Sequence, residues 1–193
     1  MPTRILHDLL SENFPLYQVS LSALEEISEI AETLTFRRNE ILFAEGKIAN
    51  SLFVIESGNL LSYSDNAGQK NVNRFWFSNQ PVILLPSLIT KSPLASTIVA
   101  LNECKLFAIS FAKLTNLAQQ SHQIAEIINL LFALEATQLF EYIYLLKVEP
   151  AERFKNFMQT HPTLIQVATA DLIASYLNMG YSTFARYRQS RIL

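Results

Sequence analysis

Between residues 36 and 109 the chain consists of short apolar runs separated by turns, and this pattern restricts the possible folds more than any other feature. The runs are rich in β-branched and aromatic residues and lie at 41–43, 52–55, 60–63, 72–77, 97–101 and 105–109. Three of the four glycines, Gly46, Gly58 and Gly68, fall in the turns between them, where tight connections need a residue that reaches positive φ without steric cost. Short strands in this arrangement predict a sandwich or barrel.

Helical periodicity flanks the strand-rich segment on both sides. Before it, apolar residues recur at three- and four-residue steps, at Leu21, Leu24, Ile27, Ile30, Ala31 and Leu34. After it, two apolar stripes run along a predicted helix that ends at Lys147. The first stripe contains Ile124, Ile127, Ile128, Leu131, Leu134, Gln138, Tyr142 and Leu145, and the second contains Leu130, Ala133, Thr137, Phe140 and Tyr144.

A helix that is apolar on two faces must be covered on both of them. We expect the β-domain to cover one face of this helix, which we place at about 112–147. The other face is expected to pack against the same helix of a second subunit as a coiled coil, which makes the protein a homodimer. A helix fully buried inside a monomer is the alternative that the residues leave open.

The chain breaks at Val148 and restarts at Pro150, a residue suited to the first turn of a helix. We therefore place a domain boundary here, which divides the chain into domains 1–148 and 149–193. The new helix should run from Pro150 to Thr160 and end before Pro162, because the residue that precedes a proline is displaced from helical geometry.

The C-terminal domain contains the most specific pattern. Thr169 can cap a helix whose buried face is formed by Leu172, Ile173, Tyr176 and Leu177. Asn178 follows as a residue that tolerates the left-handed turn conformation. A second helix should then begin near Gly180 or Ser182 and bury Phe184 and Tyr187. Two helices joined by a four-residue turn predict the helix-turn-helix motif of DNA-binding proteins. The second helix of this motif enters the major groove.

The distribution of charge agrees with a DNA-binding C-terminal domain, although the net charge of the chain is −2. Residues 1–149 contain 10 Lys and Arg against 15 Asp and Glu, a balance of −5, whereas residues 150–193 contain 5 against 2, a balance of +3. Such an asymmetry is typical of a phosphate-contacting module joined to a sensor domain. The three arginines near the end of the chain are equally compatible with a solvated helix end.

Taken in order, the residues resemble the Crp–Fnr superfamily of transcription regulators, and in particular its short members without a wing after the recognition helix. The matching segments are 41–46, 52–58, 100–101, 107–110, 151–153, 172–177 and 183–186. The resemblance implies an α+β fold with an N-terminal double-stranded β-helix, or jelly-roll barrel, of the cyclic-nucleotide-binding type. A long dimerisation helix and a C-terminal all-α helix-turn-helix domain complete it. The implied function is that of a cytoplasmic, homodimeric, sequence-specific regulator that binds double-stranded DNA and is not an enzyme.

The resemblance also implies roles for individual residues of the C-terminal domain. Thr169 and Thr183 resemble positions that contact phosphate, and Arg186 resembles the arginine that reaches a guanine edge with two parallel hydrogen bonds. Tyr181 and Ser182 occupy base-reading positions but differ from the better-known arginine–glutamate pair, so we expect a different target sequence. Gly180 replaces the usual capping serine or threonine. Arg188 and Arg191 are better placed for backbone phosphates than for bases.

Cyclic-nucleotide binding in this family depends on a glycine, a glutamate and an arginine within one short cassette. The equivalent segment, 79–97, contains no glycine, no acidic residue and no arginine, and Leu94 lies where the resemblance implies the arginine. Burying a cyclic phosphate beside leucine without a counter-charge costs several kcal/mol, so we expect that neither cAMP nor cGMP binds. Two interpretations of the pocket stay open: another effector of apolar or weakly polar character, or a pocket filled by its own side chains. The candidate lining is Val82, Leu84, Leu85, Leu94, Thr97 and Gln138.

Other classes of function receive little support from the sequence. The three histidines and the single cysteine, Cys104, lack any metal-ligand spacing, so we expect no metal and no cofactor. No basic stretch leads into an apolar run at the N-terminus, and no apolar run approaches the ~20 residues that span a bilayer, so we expect neither a secretory signal nor a membrane partner. The competing hypothesis is an effector-binding or interaction module of the same fold that has lost specific DNA binding.

Overall fold

The structure, a computed structural model, describes residues 2–190. Two helices come first, α1 (Pro2–Asn13) and α2 (Leu21–Glu29). The strands that follow are β1 (Ala31–Phe36), β2 (Ile41–Phe43), β3 (Ser51–Ser57), β4 (Leu60–Asn66), β5 (Gln69–Trp76), β6 (Pro81–Val82), β7 (Thr97–Ala100) and β8 (Cys104–Ser110), with helix α3 (Leu85–Thr90) between β6 and β7. The remaining helices are α4 (Phe111–Ala118), α5 (His122–Lys147), α6 (Pro150–Thr160), α7 (Leu164–Val167), α8 (Ala170–Tyr176) and α9 (Tyr181–Gln189).

The strands form two four-stranded antiparallel sheets. The first sheet has the order β1-β8-β3-β6 and the second has the order β2-β7-β4-β5. Because side chains alternate across a strand, neighbouring residues of one strand enter different cores. Leu52 and Val54 of β3 face the N-terminal helices, whereas Phe53 and Ile55 face the interior of the roll.

Three hydrophobic cores result from this alternation. The roll core lies between the two sheets and includes Phe53, Trp76 and Leu106. A second core joins the outer face of the first sheet to α1, α2, α4 and the N-terminal half of α5. A third core joins the outer face of the second sheet to the C-terminal helices, so that Phe75 of β5 shares it with Phe157 and Phe184. This arrangement confirms the predicted α+β fold class, with a β-roll, a long helix and a helical C-terminal part.

The six predicted strand runs are confirmed as β2, β3, β4, β5, β7 and β8, with ends that differ by a few residues. The predicted helix from Pro150 to Thr160 is confirmed as α6. Four elements were not foreseen, namely α1, β6, α3 and α7.

Two predictions of helix extent were wrong. The first apolar periodicity continues to Leu34, but the helix ends at Glu29 and residues Ala31–Phe36 form strand β1. Pairing with β8 in the register Ala31 opposite Ile109 decides the conformation there, because tertiary pairing outweighs a local helical spacing. The helix predicted at about 112–147 is two helices, since Ser121 starts α5 by accepting a hydrogen bond from the N–H of Ile124 at 3.4 Å.

Gly58, between β3 and β4, yields the first prediction. Its φ is +97°, and a Cβ at this position would collide with the carbonyl oxygen of Glu103 and lie 2.8 Å from the Cα of Cys104. We expect Gly58→Ala to lower the free energy of unfolding by about 3 kcal/mol, because it adds a backbone clash to the strain of a left-handed residue. Urea denaturation measures the change.

Gly68 provides the matched control for this substitution. Its φ is +87°, but nothing lies within 4 Å of an added Cβ, so Gly68→Ala should cost only about 1–2 kcal/mol. Equal losses in the two variants would show that the close approach at Gly58 does not matter for stability.

Candidate nucleic-acid interface

The helix pair α8 and α9 is built as the sequence predicted, with four residues, 177–180, between the helices. Asn178 takes the left-handed conformation with a φ of 48°, and the N–H of Met179 donates to the carbonyl oxygen of Ala174 at 3.0 Å. Ala174 is buried, which lets the second helix cross close to the first. Gly180 begins α9 without a side-chain capping bond.

Helix α9 is amphipathic, and its apolar side fixes it to α6. Phe184 is fully buried and meets Phe154 edge-on at a centroid distance of 5.3 Å, while Tyr187 lies 5.8 Å from the same ring. The opposite side of α9 is exposed and carries Ser182 and Arg186, which are about 40° apart around the helix axis.

The structure distributes the predicted DNA-contacting residues over several positions. Ser182 and Arg186 share the exposed face of α9, and Thr183 is half-buried beside it. Tyr181 and Arg188 are also exposed, but they line a small depression on another side of the helix. Arg188 is about 160° from Arg186 around the helix axis. Arg191 lies outside the described residues.

Two details of this helix pair differ from the sequence analysis. Thr169 is the N-cap residue of α8, yet its side chain makes no capping hydrogen bond and the residue is exposed. Gln189 was not singled out from the sequence, although it is exposed on α9 and lies about 60° from Arg186. The helical spacing of three residues from Arg186 is the signal that could have identified it.

Arg153 of α6 holds the helix pair to the end of α5. Its guanidinium is buried and donates to the carbonyl oxygens of Leu177 at 2.7 Å, Leu146 at 2.8 Å and Val148 at 2.9 Å. These carbonyls lie at the end of α8, the end of α5 and the loop that follows α5. One side chain therefore ties three chain segments together through charge-assisted hydrogen bonds.

The same helix pair packs directly on strand β5 of the roll. The N–H of Val72 donates to Oγ of Ser175 at 2.9 Å, and this hydroxyl donates to the carbonyl oxygen of Lys70 at 3.3 Å. Tyr176 meets Phe75 edge-on at 5.1 Å and stacks on Tyr142 of α5 at 4.6 Å. Burial raises the pKa of Tyr142 and of Tyr176, so the Tyr142 hydroxyl keeps its proton and donates to the carbonyl oxygen of Tyr176 at 2.9 Å.

A buried polar cluster joins β5 to α5. The Arg74 guanidinium forms an ion pair with Glu135 and donates to Oε1 of Gln138 at 2.6 Å, and it lies over the ring of Trp76 at 4.9 Å. Burial raises the pKa of Glu135, while the adjacent guanidinium opposes that shift. Neither Arg74 nor Glu135 was singled out from the sequence, because the 61 residues that separate them hide the pairing.

The six residues named for an effector pocket lie in several different surroundings. Val82 is buried in the roll core and Leu84 packs against it, whereas Leu85 packs against the core of the N-terminal helices. Leu94 exchanges backbone hydrogen bonds with the loop after β2, and Oγ1 of Thr97 accepts from the N–H of Glu45. Gln138 lines a cavity between β5, α5, α6 and α8.

Helix α3 occupies the segment where the family resemblance implied a phosphate-binding cassette. Leu88 is buried against the N-terminal helices, and Oγ of the buried Ser87 accepts from the N–H of Ala49 at 2.7 Å. Within residues 2–190, no group of three or more His, Cys, Asp and Glu side chains is placed to hold a metal ion. No helix of the described part is long and apolar enough to cross a membrane.

The sequence and the structure both have known counterparts. A family model described as cyclic nucleotide-binding domain matches residues 33–121. No curated protein shows significant sequence similarity to the chain.

Several solved structures share the fold. FixK2 from Bradyrhizobium japonicum is 18% identical, with a TM-score of 0.69 over 83% of this chain and 84% of that chain. A transcriptional regulator of the Crp/Fnr family from Eubacterium rectale is 19% identical, with a TM-score of 0.65 over 93% and 87%. The c-di-GMP responsive global regulator CLP of Xanthomonas campestris is 14% identical, with a TM-score of 0.67 over 89% and 91%. At these identities the likeness shows the fold.

The Arg153 contacts yield a prediction for stability. Arg153→Met keeps the approximate length of the side chain but removes the donors to four carbonyls, and we expect the free energy of unfolding to fall by about 3 kcal/mol. Amide hydrogen exchange in α8 and α9 should become faster for the same reason. Lys155→Met on the exposed side of α6 is the matched control and should change stability by no more than about 0.5 kcal/mol. Unchanged exchange in α8 and α9 would contradict the role given to Arg153.

Proposed function

We propose that the protein is a homodimeric, sequence-specific DNA-binding transcription regulator of the Crp–Fnr type. The observation that carries the proposal is the helix pair α8–α9, with Ser182 and Arg186 exposed on the second helix, attached to a roll that matches the cyclic nucleotide-binding domain. The similarity in fold to proteins described as a transcriptional regulator and a global regulator supports the same proposal.

Helix α9 is the proposed recognition helix. Arg186 is exposed and can offer two parallel hydrogen bonds to O6 and N7 of a guanine in the major groove. Ser182 and Gln189 both lie on one side of it, about 40° and 60° around the helix axis, and can read neighbouring bases. Gln189 also borders the depression lined by Tyr181 and Arg188. Tyr181 is a further candidate for base contact, because the residue is exposed at the first position of the helix.

Phosphate contacts are proposed for residues on either side of the recognition face. Thr169 has an exposed side chain at the start of α8, and Thr183 and Arg188 belong to α9; Arg191 is proposed on the sequence alone. Because residues 150–193 carry a balance of +3 and residues 1–149 one of −5, the attraction for DNA should be confined to the C-terminal end and should weaken steeply with salt.

The homodimer is proposed to form along α5. The C-terminal half of this helix exposes four large apolar residues, Leu139 (44%), Phe140 (61%), Ile143 (46%) and Tyr144 (65%). Leu139 also lines the cavity between this helix and the roll. A contiguous exposed apolar surface of this kind marks an interaction site. A second copy of the same helix would cover it as a coiled coil and would place two recognition helices side by side.

The sensor domain is proposed not to bind cAMP or cGMP. The segment between β6 and β7 contains no arginine, glutamate or glycine, and its one cation, Lys91, is exposed at the end of α3. Helix α3 buries Leu88 and Ser87 in the protein. The roll core holds Phe53, Trp76 and Val82 in buried positions, so a cyclic phosphate would be desolvated without a counter-charge.

The DNA-binding proposal is tested by selection from a pool of random duplexes, followed by sequencing of the retained fraction. We expect enrichment of a palindrome whose half-sites lie about one helical turn apart. Arg186→Ala should abolish the preference for guanine at one position of each half-site, with a loss of about tenfold or more in affinity for the selected sequence. Arg188→Ala should weaken binding to all sequences similarly and reduce the salt slope by about 1.

Failure to enrich any sequence, with and without cell extract to supply an effector, would overturn the DNA-binding proposal. The roll and α5 would then have to be regarded as an effector-binding or interaction module of the same fold. Equal behaviour of Arg186→Ala and Arg188→Ala would contradict the division between base and phosphate contacts.

The proposal about cyclic nucleotides makes a separate prediction. Titration calorimetry with cAMP and with cGMP should show no saturable heat up to about 1 mM nucleotide, since an affinity weaker than this contributes less than about 4 kcal/mol of binding free energy. Saturable binding of either nucleotide at micromolar concentration would contradict it.

A further inference from the structure

A cavity of about 250 Å³ lies where the roll, α5 and the C-terminal helices meet. We call it the junction cavity. Its walls include Arg74 and Phe77 from the roll side, Gln138 and Tyr142 from α5, and His161 and Tyr176 from the C-terminal part. Phe75 and Phe77 belong to the core on the outer face of the second sheet, so this cavity is separate from the interior of the roll.

Aromatic rings form most of the apolar wall. Phe77 and His161 are stacked with centroids 4.0 Å apart and planes inclined by 10°, and Tyr142 and Tyr176 are stacked at 4.6 Å and 21°. Phe157 closes the wall between these pairs, at 5.0 Å from His161 and 5.3 Å from Tyr176. Within each stacked pair the facing sides of the rings contact each other, so a guest can contact only the edges and outer faces that line the cavity. Aromatic surfaces of this kind favour a planar aromatic guest.

Polar side chains on α5 and α6 add a small number of directional groups. Gln138 uses its carbonyl oxygen to accept from Arg74, so the group that it can offer to a ligand is its NH₂ donor. Asn156 and Thr160 contribute an amide and a hydroxyl from the exposed side of α6. An apolar wall with a few placed polar groups is typical of small-molecule sites.

The charges around the junction cavity argue against an anionic ligand. The positive charge of Arg74 is paired with Glu135, and Glu141 adds a carboxylate to the lining. Burial lowers the pKa of His161, so its imidazole is neutral at pH 7. Among the described lining residues there is therefore no unpaired positive charge to receive a phosphate or a carboxylate.

We propose that the junction cavity binds an uncharged planar aromatic or heteroaromatic molecule of roughly 10 non-hydrogen atoms, a size below that of the ligands that fill cavities of 300 Å³ and more. Such a ligand would touch the roll, α5 and the C-terminal helices at once, and it would stabilise the docked arrangement by its binding free energy. An effect of this binding on DNA affinity rests on the proposed function; the binding itself does not.

The proposed site is compatible with the proposed dimer. Gln138 and Phe140 are about 160° apart around α5, so the helix presents most of the cavity wall on one side and most of the exposed apolar residues on the other. Leu139 lies between the two sides and belongs to both. A second copy packed on Phe140 would leave the junction cavity open to its ligand.

The experiment uses the full chain without DNA and compares benzamide with benzoate, which share a shape and differ in charge. Ligand-observed NMR and titration calorimetry should show saturable binding of benzamide, with benzoate at least about tenfold weaker because its charge must be desolvated. Thr160→Phe and Asn156→Phe place a ring at the mouth of the cavity from exposed positions of α6, and each should abolish benzamide binding. Thr163→Phe, exposed and outside the lining, is the matched control and should bind like the wild type.

Each outcome decides one part of the proposal. No binding of benzamide up to about 10 mM, or binding that survives both blocking variants, would overturn the site. Benzoate binding as tightly as benzamide would overturn the assignment to uncharged ligands. Because no DNA is present, these results are independent of whether the chain binds DNA. If it does, a change in DNA affinity on adding benzamide would support an effect of the cavity ligand on DNA binding, and unchanged affinity would contradict that effect.

Discussion

The packing of the C-terminal helices on α5 depends on the hydrogen bonds that the buried guanidinium of Arg153 donates. Among the described residues no carboxylate pairs with it, and its two terminal nitrogens donate to carbonyl groups at the ends of α8 and α5, in the turn after α8 and in the loop between α5 and α6. Carbonyl groups at helix ends carry partial negative charge, so they solvate a buried cation that would otherwise be costly. These bonds fix the helix pair to α5, together with the contact of Tyr142 with Tyr176.

Helix α5 connects the parts of the molecule that would have to communicate. Its first half belongs to the core with the N-terminal helices, Glu135 pairs with Arg74 of the roll, and Tyr142 stacks on Tyr176 of α8. Glu135 and Tyr142 are two helical turns apart on α5. A change in the roll that displaced Glu135 could therefore shift Tyr142 and its contact with the helix pair. Allosteric coupling requires a structural element whose contacts differ between two conformational states. Helix α5 contacts both the roll and the helix pair, so it has the contacts that such an element needs.

Much of the fold could be predicted from the sequence because its signals are local. Glycine turns at Gly46, Gly58 and Gly68 and short apolar runs identify the strands, and the order of Ala174, Asn178 and Phe184 identifies the helix pair. Strand β1 could not be predicted, since its apolar spacing is ambiguous and its conformation depends on pairing with β8, about seventy residues later.

The candidate sites were predictable only in part, for a related reason. Arg186 and Ser182 could be identified because they are four residues apart on one helix, where spacing determines the face. Five of the six residues named for the effector pocket come from the segment 82–97, and none of these five lines the junction cavity. Only the sixth, Gln138 of α5, does. The cavity is formed by segments that are distant along the chain, and nothing in the local pattern of Arg74, Tyr142 or His161 indicates that they meet.

The proposed regulator requires a second copy of the chain, because a palindromic site needs two recognition helices. Sedimentation velocity at micromolar concentration tests for this copy in the wild type, in Phe140→Glu and in a control, Ile89→Glu, which alters an apolar residue of similar exposure on α3 (54% against 61%). We expect the mass of two chains for the wild type and the control, and the mass of one chain for Phe140→Glu. A wild type that sediments as one chain, or a Phe140→Glu variant that remains paired, would contradict this expectation.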